Sequence, residues 1–136
     1  MDDRSLMQAA FEARKMAYAP YSGFAVGAAL LTRGGKLYTG CNIENASFSP
    51  TNCAERTAVF KAVSEGERAF SAIAIVGGKG DTLETVCTPC GVCRQVLSEF
   101  CNADLRILLG TPERIEVHTL GELLPLSFSL TKEEPR

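Results

Sequence analysis

Two short motifs constrain this chain more than any other feature. Cys53-Ala-Glu55 comes first, and Pro89-Cys90-Gly-Val-Cys93 follows much later. Three thiols at metal-ligand spacing leave a tetrahedral zinc ion one protein ligand short. A structural zinc site closes with four protein ligands, whereas a catalytic one keeps three and an open position for water. The carboxylate two residues from the first thiol adds an acid–base group. The pattern points to a zinc-bound water with a proton shuttle beside it, and so to hydrolytic chemistry. Any fold that satisfies it must bring two distant stretches to one corner.

Both motifs fall where helices are predicted to begin. Free backbone N–H groups and the helix dipole place partial positive charge there. That charge lowers thiol pKa values, and the thiolate is the metal ligand. Cys90 and Cys93 lie three apart, on one helix face. Three thiolates on Zn²⁺ sum to a formal −1, which would leave a bound water insufficiently acidic unless the charge is trimmed. Arg56, one turn after Cys53, can donate to a sulfur, and Arg94 is a second candidate.

Composition sets outer bounds. The chain has 136 residues, 46% hydrophobic and 22% charged, with a net charge of −2. One domain is expected, spanning 1–136. The missing basic excess argues against a nucleic-acid surface. No run of 18 apolar residues suggests a membrane helix. The start, Met1-Asp-Asp-Arg-Ser, lacks an apolar leader pattern, so the six cysteines are expected to be reduced thiols in the cytoplasm.

Along the chain, helices are predicted over Ser5–Tyr18, from a cap at Thr51 or Asn52 to Glu65, over Cys90–Phe100 and over Thr119–Leu124. Strands are predicted over Phe24–Thr32, Lys36–Cys41, Ala72–Val76, Leu105–Leu109 and Ile115–Val117. Residues Asn42–Asn52 read as a loop, and 131–136 as a frayed end. Gly77-Gly-Lys-Gly80 superficially resembles a phosphate loop. It has Gly80 where Ser or Thr is required, so it reads as a turn. Strands alternating with helices predict a mixed sheet with helices on both faces.

Bland readings stand beside the sharp ones. Glu55 could be an acidic residue placed by the helix dipole. Cys87 makes Cys-x2-Cys-x2-Cys with Cys90 and Cys93 and could close the site as a fourth thiol. The result would be a non-catalytic zinc-stapled domain. Cys41 and Cys101 read as small buried hydrophobes. His118 sits far from the cluster and is not expected to bind metal.

The motifs, with Tyr18-Ala-Pro-Tyr-Ser-Gly-Phe24-Ala-Val-Gly-Ala-Ala-Leu-Leu31, Gly40-Cys-Asn-Ile-Glu-Asn-Ala46, Cys53-Ala-Glu-Arg-Thr-Ala58, Cys93-Arg-Gln-Val96 and Glu122-Leu-Leu-Pro125, resemble the cytidine deaminase family from about Leu6 to Phe128. The general zinc-deaminase signature is a known pattern. The resemblance implies a three-layer α-β-α sandwich around a mixed five-stranded sheet. It implies one Zn²⁺ per chain on Cys53, Cys90 and Cys93, with Glu55 as proton shuttle and Arg56 beside the sulfurs. Asn42 and Glu44 would bind ribose, Phe24 would pack on the pyrimidine, and Ala54 would contact substrate. Phe128 would enter a neighbouring subunit's site in a homotetramer. The implied reaction is deamination of cytidine and 2′-deoxycytidine by zinc-bound hydroxide attack at C4, serving pyrimidine salvage. A deaminase of another cytosine nucleoside, such as blasticidin S, is the alternative. Without the resemblance, Asn42 and Glu44 read as solvated turn residues, and Phe24 and Phe128 as core or patch. The chain departs from the family pattern at Phe48, Cys87, Val92 and Leu126-Ser127.

Overall fold

The computed structural model describes residues 1–130, so the expected frayed end at 131–136 lies outside the described residues. The elements, in order, are α1 (Asp3–Ala13), a 3-10 turn (Arg14–Met16), β1 (Phe24–Thr32), β2 (Leu37–Cys41), α2 (Ala54–Ser64), β3 (Phe70–Lys79), β4 (Thr82–Leu83), α3 (Gly91–Phe100), β5 (Arg106–Thr111), β6 (Arg114–Thr119) and α4 (Leu120–Leu123).

The main sheet runs β2-β1-β3-β5-β6, with β4 pairing to β3 as a sixth, two-residue strand. The expected five strands form the path, and β4 is the addition. Only β3 and β5 run parallel, with α3 in the crossover between them. All other neighbours are antiparallel.

Strand periodicity sorts the core into two layers. Ala28, Leu30, Ile73, Ile75, Ile107 and Leu109 join Ala58, Val59 and Ala62 of α2 and Leu97 of α3 on one face. Ala29, Ala72, Ala74, Val76 and Leu108 meet Leu6, Met7 and Ala10 of α1 on the other. The three-layer sandwich follows. Full burial of each large aliphatic side chain stabilises it by about 1.5–3 kcal/mol. The α1 face is lined by small residues because the helix lies close. A Cβ on Gly27 would overlap the Ala10 carbonyl and come 2.5 Å from the Arg14 nitrogen.

Some element bounds differ from expectation. Helix α1 ends at Ala13 and gives way to a 3-10 turn well before Pro20. Strand β3 extends through Gly77, Gly78 and Lys79, which pair with Val26, Ala25 and Phe24. Three of the four residues expected to turn are therefore strand, and the turn itself starts at Gly80. The expected loop Asn42–Asn52 is pinned on both sides. Tyr18 N–H donates to Asn42 O at 3.0 Å, and Ile43 and Asn52 exchange hydrogen bonds of 2.9 Å. Among the described residues, no helix is long and apolar enough to cross a membrane.

Candidate metal centre and active site

Helices α2 and α3 begin side by side on one face of the sheet. Cys53 is the N-cap of α2 and Cys90 the N-cap of α3, and neither helix has a side-chain cap hydrogen bond among the described residues. Thr51 and Asn52, the expected caps, are used elsewhere. The Thr51 hydroxyl accepts from Asn45 N–H at 3.1 Å, and the Asn52 amide donates to Thr57 Oγ1 at 3.1 Å. The first-turn N–H groups of both helices, which have no intrahelical acceptors, thus lie against thiols.

The sulfurs of Cys53, Cys90 and Cys93 lie within 4.8 Å of one another. Cys53 Sγ is 3.8 Å from Cys90 Sγ, which is 3.5 Å from Cys93 Sγ. Tetrahedral zinc with Zn–S bonds of about 2.3 Å places its sulfurs roughly 3.8 Å apart. The donor set therefore fits one zinc ion and leaves one corner of the tetrahedron to a non-protein ligand. In the thiol form these groups share protons. Hydrogen bonding from Cys93, then Arg56 and Cys90, holds the Cys53 thiol down at about 5. Hydrogen bonding to that thiolate, with burial, pushes the Cys93 thiol well up.

Arg56 stands on the next turn of α2, and its Nη2 donates to Cys53 Sγ at 3.2 Å. Its Nε is buried without a hydrogen-bond partner among the described residues. Arg94, the second candidate, does not reach a sulfur. Its Nε donates to Pro89 O at 2.8 Å and its Nη1 to Leu123 O at 2.6 Å, because it points back along α3 toward α4. It braces the residue before Cys90 instead.

Glu55 is the second residue of α2 and is only 4% exposed. Burial pushes its carboxyl up to about 7. A dipole-favoured surface glutamate would sit in water with an ordinary pKa. This one lies against the sulfurs, where a carboxyl that titrates near neutrality can take and give a proton.

Cys87 stays outside the sulfur cluster. Burial holds its thiol up at about 12. It packs instead under Phe24. A Cβ on Gly77 would stand 2.6 Å from Cys87 Sγ and 3.0 Å from Phe24 Cε1. Cys101 is buried as expected, but Cys41 is only half-buried because it closes β2 at the sheet edge. All six cysteines are free. His118 pairs with Glu116 on edge strand β6 at 3.0 Å.

The expected substrate residues divide. Asn42 is turned to the start of β1. Its Oδ1 accepts from Val26 N–H at 2.9 Å, and its Nδ2 donates to Phe24 O at 2.8 Å. One N–H and one lone pair remain for a ligand. Glu44 accepts from the backbone N–H groups of Tyr21 (2.9 Å) and Ser22 (3.1 Å) and from the Ser22 hydroxyl. The Ser22 hydroxyl bond chiefly holds its carboxyl below the usual range. Sequence reasoning missed Tyr21 and Ser22 as its supports. The turn Pro20-Tyr-Ser-Gly23, with Gly23 at φ +70°, was the available signal. A cavity of about 330 Å³ opens here, lined by Tyr21, Ser22, Glu44, Asn45, Phe48 and Thr51. Of the expected substrate residues, only Glu44 lines it. Ala54, at the first turn of α2, is fully buried in the core, backbone included. Phe128 is 67% exposed, tethered by Gln95 Nε2 donating to its carbonyl at 3.1 Å.

The chain is similar to known proteins. The family model described as the cytidine and deoxycytidylate deaminase zinc-binding region matches residues 1–109. The cytidine deaminase of Sporosarcina psychrophila is 52% identical over 95% of this chain and 93% of its own. The blasticidin-S deaminase of Bacillus cereus is 32% identical over 76% of each chain. A crystal structure of cytidine deaminase from Burkholderia pseudomallei superposes with a TM-score of 0.87 at 46% identity, covering 94% of this chain and all of that one. With three zinc-spaced sulfurs, a buried carboxyl beside them and this extent of match, the chain belongs to the cytidine and deoxycytidylate deaminase family.

Proposed function

We propose that residues 1–136 form one zinc-dependent domain that converts cytidine and 2′-deoxycytidine to uridine and 2′-deoxyuridine, releasing ammonia. The observation that carries this reading is Glu55, a buried carboxyl pushed up to about 7 beside three sulfurs that leave one metal position open. The relatives named cytidine deaminase over nearly the whole chain support the substrate.

Cys53, Cys90 and Cys93 would hold the ion, and Arg56 would offset part of their charge through its bond to Cys53 Sγ. When bound, zinc supplies Lewis acidity to a water at the open position. Glu55 would take a proton from the attacking water as a C–O bond forms at C4 of the pyrimidine. It would deliver that proton to N3. It would then take the remaining proton of the new C4 hydroxyl and pass it to the exocyclic amine, so that the C4 carbonyl forms, the C4–N4 bond breaks and ammonia leaves. Low exposure of Glu55 excludes the bulk water that would otherwise compete for its proton. Phe24 would pack on the base, Asn42 and Glu44 would orient the ribose, and Ala54 would contact the substrate at the first turn of α2. A net charge of −2 with no basic excess suits a free nucleoside better than a polynucleotide.

A homotetramer with shared sites completes the reading. Phe48 (84% exposed), Phe128 (67%) and Leu126 (104%) are large apolar side chains left to solvent in one chain. Burial of these side chains against a neighbouring copy is what the homotetramer reading adds. Phe128 would reach a neighbour's substrate. Six free thiols suit the cytoplasm, and the proposed reaction suits a role in pyrimidine salvage.

The test is loss of cytidine ultraviolet absorbance with zinc-replete protein, set beside its Glu55→Gln variant. Loss by the wild type alone is expected. Equal rates from both would remove Glu55 from the mechanism. No loss with either cytidine or deoxycytidine, but loss with blasticidin S, would shift the substrate to that alternative.

A further inference from the structure

Arg14 stands where α1 passes into the 3-10 turn. Its Nε donates to Ala25 O at 2.9 Å, and its Nη2 donates to both Gly78 O and Gly80 O at 2.7 Å. One guanidinium thus gathers three main-chain carbonyls, from the start of β1, the end of β3 and the turn into β4. Its fixed fork of donors suits this, and a lysine ammonium would not reproduce it.

Each of those carbonyls leads to the candidate site. Ala25 follows Phe24, whose own carbonyl is held from the other side by Asn42. Gly78 and Gly80 flank Lys79, the register partner of Phe24. The β3–β4 hairpin runs on into the segment that delivers Cys90, and Glu84 N–H ties that segment back to Gly77 O at 2.8 Å. Gly77 is also where Cys87 and the Phe24 ring come together.

We infer that Arg14 is a positioning residue for the pyrimidine wall, setting Phe24 in place against the hairpin that leads to the Cys90 ligand segment. The inference rests on the reading of Phe24 as the residue that packs on the base. The competing account is that Arg14 merely stitches α1 to the sheet. The molecule supplies its own control, because Arg106 stitches the opposite end of α1 through Asp3 at 2.9 and 2.7 Å and has no path to Phe24.

The experiment compares steady-state cytidine kinetics, zinc content and thermal midpoint for zinc-replete Arg14→Met, Arg106→Met, Phe24→Ala and the Arg14→Met/Phe24→Ala double variant. Arg14→Met is expected to raise KM about five- to ten-fold with kcat within two-fold, the signature of lost uniform binding. Zinc content stays at one per chain. Arg106→Met lowers the thermal midpoint and leaves KM unchanged. In the Phe24→Ala background, Arg14→Met adds little further rise, because the group it positions is gone. If Arg14→Met does not accumulate folded, Arg14→Lys, which cannot span all three carbonyls, carries the same comparison. A rise in KM for Phe24→Ala with none for the Arg14 variant overturns the inference alone. An unchanged KM for Phe24→Ala overturns the reading of Phe24 and the inference with it. Equal KM rises for Arg14→Met and Arg106→Met would reduce Arg14 to a stitch.

Discussion

Helices α1 and α4 begin on conventional caps, and helices α2 and α3 begin on cysteines. Asp2 accepts from Ser5 N–H at 2.8 Å to start α1, and Thr119 with Glu122 forms a reciprocal capping box at α4. Helices α2 and α3 have no side-chain cap among the described residues, and their first turns face the sulfur cluster. The capped starts are finished by the chain alone. The cysteine starts concentrate partial positive charge on thiols, which prepares them for a cation that brings its own stabilisation. The difference separates the part of the molecule that only has to fold from the part that has to react.

Zinc removal should break the comparison most widely. A chelator is expected to abolish turnover and to speed hydrogen exchange of the first-turn amides of α2 and α3, leaving those of α1 unchanged. Uniform acceleration across all helices would mean that the cysteine starts are not special. The next largest effect belongs to Glu55. Glu55→Gln is expected to lower turnover on the order of 10²–10⁴-fold with zinc retained, the usual range for lost acid–base catalysis. Metal loss in that variant would recast Glu55 as a ligand or a support for one.

Arg56→Gln sharpens the picture on the α2 side. Removal of a group that hydrogen-bonds a ligand sulfur is expected to cost about 10–100-fold in zinc affinity or activity. Competitive chelation with a chromogenic dye measures the first, and no change in either would assign Arg56 to the surface. Thr119→Ala is the smallest case. It should cost about 1 kcal/mol of stability by denaturant unfolding and leave zinc affinity and KM unchanged. A change in zinc affinity would show that capped and cysteine starts are coupled.

These contrasts explain what the sequence made legible. Strand β1 was read to the residue, Phe24–Thr32, because nine apolar or small residues lie between a glycine turn and Gly34-Gly35. The sulfur cluster was read because cysteine spacing is chemical and does not depend on the rest of the fold. The start of α2 was misplaced for the same reason that it matters. Thr51 and Asn52 have the chemistry of caps, yet the helix begins on Cys53, and a cysteine cap is not a propensity signal. Strand β3 was read too short because Gly77-Gly78 looks like a turn in isolation. It is strand because Val26 and Ala25 pair with it on one side and β4 closes over Gly78 on the other. Hydrogen bonds from Arg14 and Gln95 to main-chain carbonyls leave no pattern in the sequence, since a carbonyl acceptor has no side-chain identity.

The central claim is that the cysteine corner is an open metal centre. Zinc K-edge X-ray absorption on the zinc-replete protein tests it most directly, by counting sulfurs. Three sulfurs at about 2.3 Å and one light atom are the expected result. Four sulfurs, with Cys87 drawn in as the fourth, would close the site and make the domain a zinc staple.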